Sequence, residues 1–172
     1  ARQVRSRLPL MGITILSGLL SAKVLRMFLE GAGGDPGPSD ILRYLPLIIG
    51  LAGNVGVQSS TILVRAMALG ELEGSRQRAM LRSETSVGLS VGVICGAVIT
   101  LVVMWLEPGR LGLAVGIATL IAVAFSAVLG TSVPVACQKI GIDPAIVAGP
   151  FLICLSDIAG SVLFVVVAKA LL

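Results

Sequence analysis

The stretch Ile146-Val-Ala-Gly-Pro150-Phe-Leu-Ile-Cys-Leu-Ser156-Asp157-Ile-Ala-Gly160-Ser-Val-Leu-Phe-Val-Val-Val167 is one apolar run with a single acid inside it. A helix of about 20 apolar residues spans a bilayer, and this run is long enough. The nearest cation is Lys169, about three helical turns beyond the acid. A carboxylate at membrane depth costs several kcal/mol unless it faces water, a partner or an ion. Asp157 is therefore the residue that the rest of the sequence has to account for.

The surrounding composition agrees with a bilayer as solvent. The chain has 172 residues, 56% hydrophobic and 13% charged, with no histidine, and its mean hydropathy is +1.02. A soluble domain carries about 25% charged residues. Five apolar segments can be drawn, over about 8–29, 41–69, 81–106, 111–139 and 144–171. The expected fold class is all-α: a polytopic membrane protein of five transmembrane helices forming one ion-conducting domain over residues 1–172. Gly and Pro between residues 31 and 40 break any helix there, the polar run 71–78 reads as a connection, and Glu107-Pro-Gly-Arg110 reads as a tight turn. Gly141-Ile-Asp143-Pro144 reads as a stop and a restart, with Asp143 as N-cap and Pro144 in the first turn.

Charge distribution sets the expected topology. With the N-terminus in the cytoplasm, eight cations fall inside (Arg2, Arg5, Arg7, Arg65, Arg76, Arg78, Arg82, Lys139) and five outside (Lys23, Arg26, Arg43, Arg110, Lys169). The expectation is a multi-pass protein of the inner (plasma) membrane, N-terminus cytoplasmic and C-terminus outside. The net charge of +4 is not a nucleic-acid signal, because the cations are not interleaved with aromatic residues. Cys95, Cys137 and Cys154 stand singly in apolar runs, so no thiol or zinc site is expected. No enzyme signature is present; the commonest general base, histidine, is absent.

Small residues recur every four positions at Gly88, Gly92 and Gly96, and again at Gly112 and Gly116. Such faces let helix backbones approach closely, and packing within one chain is the expected use. The second segment is less ordinary. Gly50-Leu-Ala-Gly53-Asn54-Val-Gly56 interrupts its apolar run and is followed by Gln58, Ser59, Ser60 and Thr61. Asn54, Gln58 and Thr61, at spacings of four and three, share one helical face. Two roles are open to that face: hydrogen bonding to neighbouring helices, or lining a watery cavity, where irregular backbone is tolerated at membrane depth.

Around Asp157, Pro150 removes a backbone donor and frees the carbonyl near Ile146. Gly149 beside it makes a kink that exposes carbonyl oxygens at Ala148 and Gly149, while Ser156 and Gly160 keep the neighbourhood small. A carboxylate with carbonyls and water is an all-oxygen site suited to a hard cation such as Mg²⁺, Ca²⁺ or Na⁺. A symmetric dimer brings two Asp157 to one axis. Mg²⁺ dehydrates reluctantly, so such a site takes the hydrated ion.

The run from Pro46 to Gly70, with Gly-Asn-Val-Gly at its heart, resembles the signature of the MgtE family of magnesium channels. Leu129-Gly-Thr-Ser-Val-Pro134 and the run from Gly141 to Gly160 resemble that family's later helices. The resemblance covers most of the chain. It implies five helices per subunit, a homodimer, and a pore at the subunit interface lined by the second and fifth helices. It implies that Asp157 binds hydrated Mg²⁺ and that Asn54 lies near the pore. The expected metal set is Asp157, Ala148 and Gly149; the expected pore lining is Gly53, Asn54, Gln58, Thr61, Ser156 and Gly160. Mg²⁺ is the transported ion, and the expected partners are the lipid bilayer, a second copy and a cytoplasmic regulatory domain missing from this chain. Two features depart from the pattern: Gly149 stands where some members have Asn, and Val57 follows the Gly-Asn motif in place of a second Asn. Two transport modes are open, a channel and a secondary transporter exchanging Mg²⁺ with Na⁺ or H⁺.

Overall fold

The computed structural model describes residues 42–72, 75–107 and 110–171, together with Gly12, Ile15 and Leu19. These last three are helical, and Ile15 and Leu19 pack against the core. The remainder of the 8–29 span, the connection 31–40 and the N-terminal arginines lie outside the described residues. The described elements are α1 (Leu45–Ala68), α2 (Ser75–Leu106), α3 (Leu111–Lys139), α4 (Pro144–Val147) and α5 (Pro150–Leu171). A short 3₁₀ turn at 42–44 leads into α1. Among the described residues there is no strand, and four helices are long and apolar enough to cross a membrane: Leu42–Ala68, Arg76–Leu106, Leu111–Lys139 and Pro150–Val167.

Helix α3 is the hub. It packs against α1, α2 and α5, while α1 and α5 also pack on each other. Leu47, Ile48, Leu51, Val91, Ile99 and Phe164 fill the space between them. Large apolar side chains on the outer faces of α2 and α5 stay exposed, among them Leu101, Trp105, Ile158 and Val166. In a bilayer the lipid solvates these faces, so their exposure is not a defect.

Three features bear on the expectations. First, α1 runs unbroken through Gly50, Gly53 and Gly56; Gly53 lies beside Asp157 and Gly56 packs on Ser126 and Ser156. Second, α2 starts at Ser75 and not near residue 81. Arg76 and Arg78 are exposed, and arginine and glutamine are good helix formers, so this polar run is the wet end of a helix rather than a loop. Third, the segment drawn over 144–171 is two helices. Pro150 has no N–H for the Ile146 carbonyl and its ring crowds that turn, so the helix stops at Val147 and restarts at Pro150.

The ends of the helices follow local rules. Gly70 (φ 70°) and Gly141 (φ 78°) adopt the left-handed conformation that glycine enters without steric cost. After α1, the Glu71 N–H reaches the Ala66 carbonyl at 3.0 Å; after α3, the Ile142 N–H reaches Cys137 at 2.9 Å. Both are Schellman closures. The Asp143 carboxylate accepts from the Ala145 N–H at 2.9 Å and Pro144 opens α4, as the sequence indicates.

The glycine ladder packs within the chain. A methyl on Gly92 would lie 3.0 Å from the Leu120 carbonyl oxygen, and one on Gly96 would lie 2.8 Å from that of Gly116. Gly88 abuts Ala127, and Gly116 abuts Thr100. At one end of the bundle, buried Arg43 pairs with Glu107, whose other oxygen accepts from the Tyr44 hydroxyl at 3.0 Å. The guanidinium also lies 5.4 Å from the Tyr44 ring centre. This cluster ties the start of α1 to the end of α2. Removing one partner of a buried ion pair costs about 3–5 kcal/mol.

Candidate functional site

Asp157 sits about two turns into α5, partly buried. Its neighbour across the helix contact is Gly53 of α1: a methyl there would lie 3.6 Å from a carboxylate oxygen. That distance is ordinary contact, so glycine leaves a methyl-sized opening beside the acid. Among the described residues no hydrogen bond or ion pair reaches the carboxylate. The Asp157 backbone carbonyl accepts the Ser161 hydroxyl at 2.8 Å.

One turn along α1, the fit has no slack. A methyl on Gly56 would strike the Ser126 hydroxyl and lie 3.1 Å from that of Ser156 and 3.2 Å from the Ser126 carbonyl. Gly130 of α3 meets the Gly56 carbonyl in turn. The three helices therefore cross at Gly56, Ser126, Gly130 and Ser156. The crossing carries its own hydrogen bonds. The Ser126 hydroxyl donates to the Ala52 carbonyl at 2.6 Å and lies 2.9 Å from the Ser156 hydroxyl. A hydroxyl has one proton. With the Ser126 proton committed to Ala52, Ser156 donates to Ser126. The chain Ser156 to Ser126 to Ala52 thus joins α5, α3 and α1 immediately beside Asp157.

Ser126 was not among the residues read from the sequence. The available signal was weak: a hydroxyl in the otherwise apolar run before Leu129. Glu84, one turn before Gly88, also escaped notice; it is 1% exposed and engaged in polar interactions.

The other expected residues divide into three groups. Asn54 and Thr61 are exposed on α1 and Gln58 lies half-buried between them, so the three form the stripe that the spacing implies. The Thr61 hydroxyl bonds back to the Val57 carbonyl at 2.8 Å. Among the described residues the buried Gln58 Oε1 and Ser60 hydroxyl find no partner. Ser156 and Gly160 are buried. Gly160 packs on Ile49 and Ala52 of α1, so within one chain these two residues hold helices together rather than line open space. Ala148 and Gly149 lie at the break before α5, partly exposed. At 1.5 Å per residue they stand roughly 12 Å from Asp157 along the axis. Both residues thus lie at the start of α5, about two turns before the acid.

The family profile MgtE, described as a divalent cation transporter, matches residues 45–167. The chain belongs to the MgtE family. The match takes in all the helices that meet at Asp157. A protein named magnesium transporter MgtE from Thermus thermophilus is 31% identical over 163 residues, covering 93% of this chain and 35% of that protein. Its namesake from Enterococcus faecalis is 34% identical over 127 residues (73% of this chain, 28% of the relative). That from Bacillus subtilis is 24% identical over 165 residues (95% and 36%). The chain therefore spans about a third of the length of the curated relatives it matches. As an MgtE-family segment it is a helical membrane unit, and the polar atoms described at its three-helix crossing are oxygens. Among the described residues no three of His, Cys, Asp and Glu gather as a metal cluster.

Proposed function

We propose that this chain carries Mg²⁺ across the membrane through a channel-like pore at the interface of two copies. Asp157 of both subunits binds the hydrated ion, and Asn54 and Gln58 orient its water shell. The observation that carries this reading is Asp157 itself: a partly buried carboxylate in a spanning helix, without a polar partner among the described residues, beside the opening left by Gly53. The magnesium transporters to which the chain is similar support the choice of ion.

One carboxylate per chain is thin for a divalent cation, and two at a symmetry axis match its charge. The lack of a three-ligand cluster among the described residues fits an ion that keeps its water. The break at Pro150 frees the Ile146 carbonyl, while the Gly149 carbonyl accepts the Ile153 N–H at 3.2 Å; the carbonyl oxygens at Ala148 and Gly149 give such an ion a second station near the start of α5. A potential of 100 mV, inside negative, drives a divalent ion with about 4.6 kcal/mol, so no coupled ion is required.

The test is Mg²⁺ entry into proteoliposomes under an imposed potential, with single-channel recording in parallel. The reading predicts unitary Mg²⁺ currents that disappear in Asp157→Asn. A flux coupled to Na⁺ or H⁺ without unitary events would assign the exchanger mode. Unchanged flux in Asp157→Asn would remove the acid from the pathway.

A further inference from the structure

At the end of the bundle where α2 begins and α3 ends, a cleft of about 800 Å³ opens between the two helices. Its lining is Gln77, Arg78, Leu81, Arg82, Val135 and Lys139, together with Ala79. Arg78 and Arg82 are one turn apart on α2, and Lys139 is the last residue of α3. All three cations are exposed. Among the described residues no carboxylate lines the cleft and none pairs with any of the three. The neighbouring cleft, by contrast, has Glu71 as well as Arg76 in its lining. The free N–H groups at the start of α2 add positive potential at the same end.

We propose that this cleft binds the headgroup of an anionic phospholipid. The phosphate is recognised by Arg78, Arg82 and Lys139. The acyl chains run down the bundle over Ala79, Leu81 and Val135, toward the apolar faces that follow. The position favours a lipid over free phosphate: both helices are spanning candidates, so the cleft lies where a span leaves the bilayer and headgroups are concentrated. Basic pockets between spanning helices recognise anionic headgroups in this way. The cleft shares no residue with the Asp157 site, so the proposal stands whether or not the transport reading does.

The experiment uses the chain in nanodiscs of phosphatidylcholine, with and without phosphatidylglycerol. Lipid retained after extraction is identified by native mass spectrometry, and the melting temperature is followed with each lipid. Phosphatidylglycerol is expected to be retained over phosphatidylcholine and to raise the melting temperature. Each cation removed is expected to weaken retention about five-fold, so Arg78→Gln/Arg82→Gln/Lys139→Gln loses it. Arg110→Gln, outside the cleft, keeps it. Should the triple variant fold poorly, Arg82→Gln alone still shows the single-cation loss, and Arg78→Lys/Arg82→Lys retains most of the binding. Equal retention of both lipids, or undiminished retention in the glutamine variants, overturns the proposal. Inorganic phosphate giving the same thermal shift as phosphatidylglycerol makes this a free-anion site and overturns the lipid assignment.

Discussion

Two helix contacts in this molecule are built from the same small residues and do different things. Along the α2–α3 seam, Gly88, Gly92, Gly96 and Gly116 meet methyl groups, a threonine side chain and backbone carbonyls. At the α1–α3–α5 crossing, Gly53, Gly56 and Gly130 meet hydroxyls, two carbonyls and a carboxylate. Close approach is common to both, and in a membrane it supplies packing energy that the hydrophobic effect does not. The crossing adds polar atoms whose positions depend on that approach. Small residues alone therefore do not mark a site. Small residues that bring an acid and a chain of hydroxyls together do.

The largest expected difference between the two regions is chemical. Asp157→Asn should leave the melting temperature close to wild type while removing Mg²⁺ flux, because the carboxylate holds no structural partner among the described residues. A large loss of stability would make the acid a packing element. Next come the tight glycines. Gly56→Ala forces apart Ser126, Ser156 and their helices, and overpacking of this kind costs about 1–3 kcal/mol; flux per folded molecule should fall with it. Gly96→Ala should cost a similar amount in thermal unfolding but leave flux per folded molecule unchanged. If both variants lose flux equally, the distinction between seam and crossing collapses.

A smaller effect is expected at Ser126. Ser126→Ala removes the bond to Ala52 and leaves the Ser156 hydroxyl without its acceptor, costing about 1 kcal/mol. The flux change should exceed that of Thr119→Ala, whose hydroxyl bonds only to its own helix at Val115. The smallest stability effect belongs to Gly53→Ala, since a methyl there makes only ordinary contact with Asp157. It should melt within about 0.5 kcal/mol of wild type yet lower flux by covering the carboxylate. Wild-type flux in Gly53→Ala would show that the ion does not approach from that side.

The helices were legible because bilayer-spanning segments declare themselves as long apolar runs, and Pro150 announced the break before α5. Their ends were less legible. The start of α2 at Ser75 is hidden in a polar run, since a helix leaving the membrane looks like a loop by hydropathy. The glycines of α1 left irregular backbone and close packing both open, and the partners that close on Gly56, Ser126 and Ser156, lie far along the chain. Asp157 stood out because a charge in an apolar segment is costly. Ser126 did not, because a serine is cheap in a membrane helix and its partners lie 74 and 30 residues away. No local pattern encodes that meeting; only the crossing of three helices creates it.

The central claim is that Asp157 is half of a paired site for a hydrated divalent cation. The most direct measurement is anomalous diffraction from crystals of this chain grown in lipid with Mn²⁺ replacing Mg²⁺. The account predicts a two-fold dimer with one anomalous peak on the axis between the two Asp157 carboxylates, too far from either for direct coordination. A peak elsewhere with the Asp157 pair empty, or Asp157 side chains facing lipid on separate subunits, would contradict it.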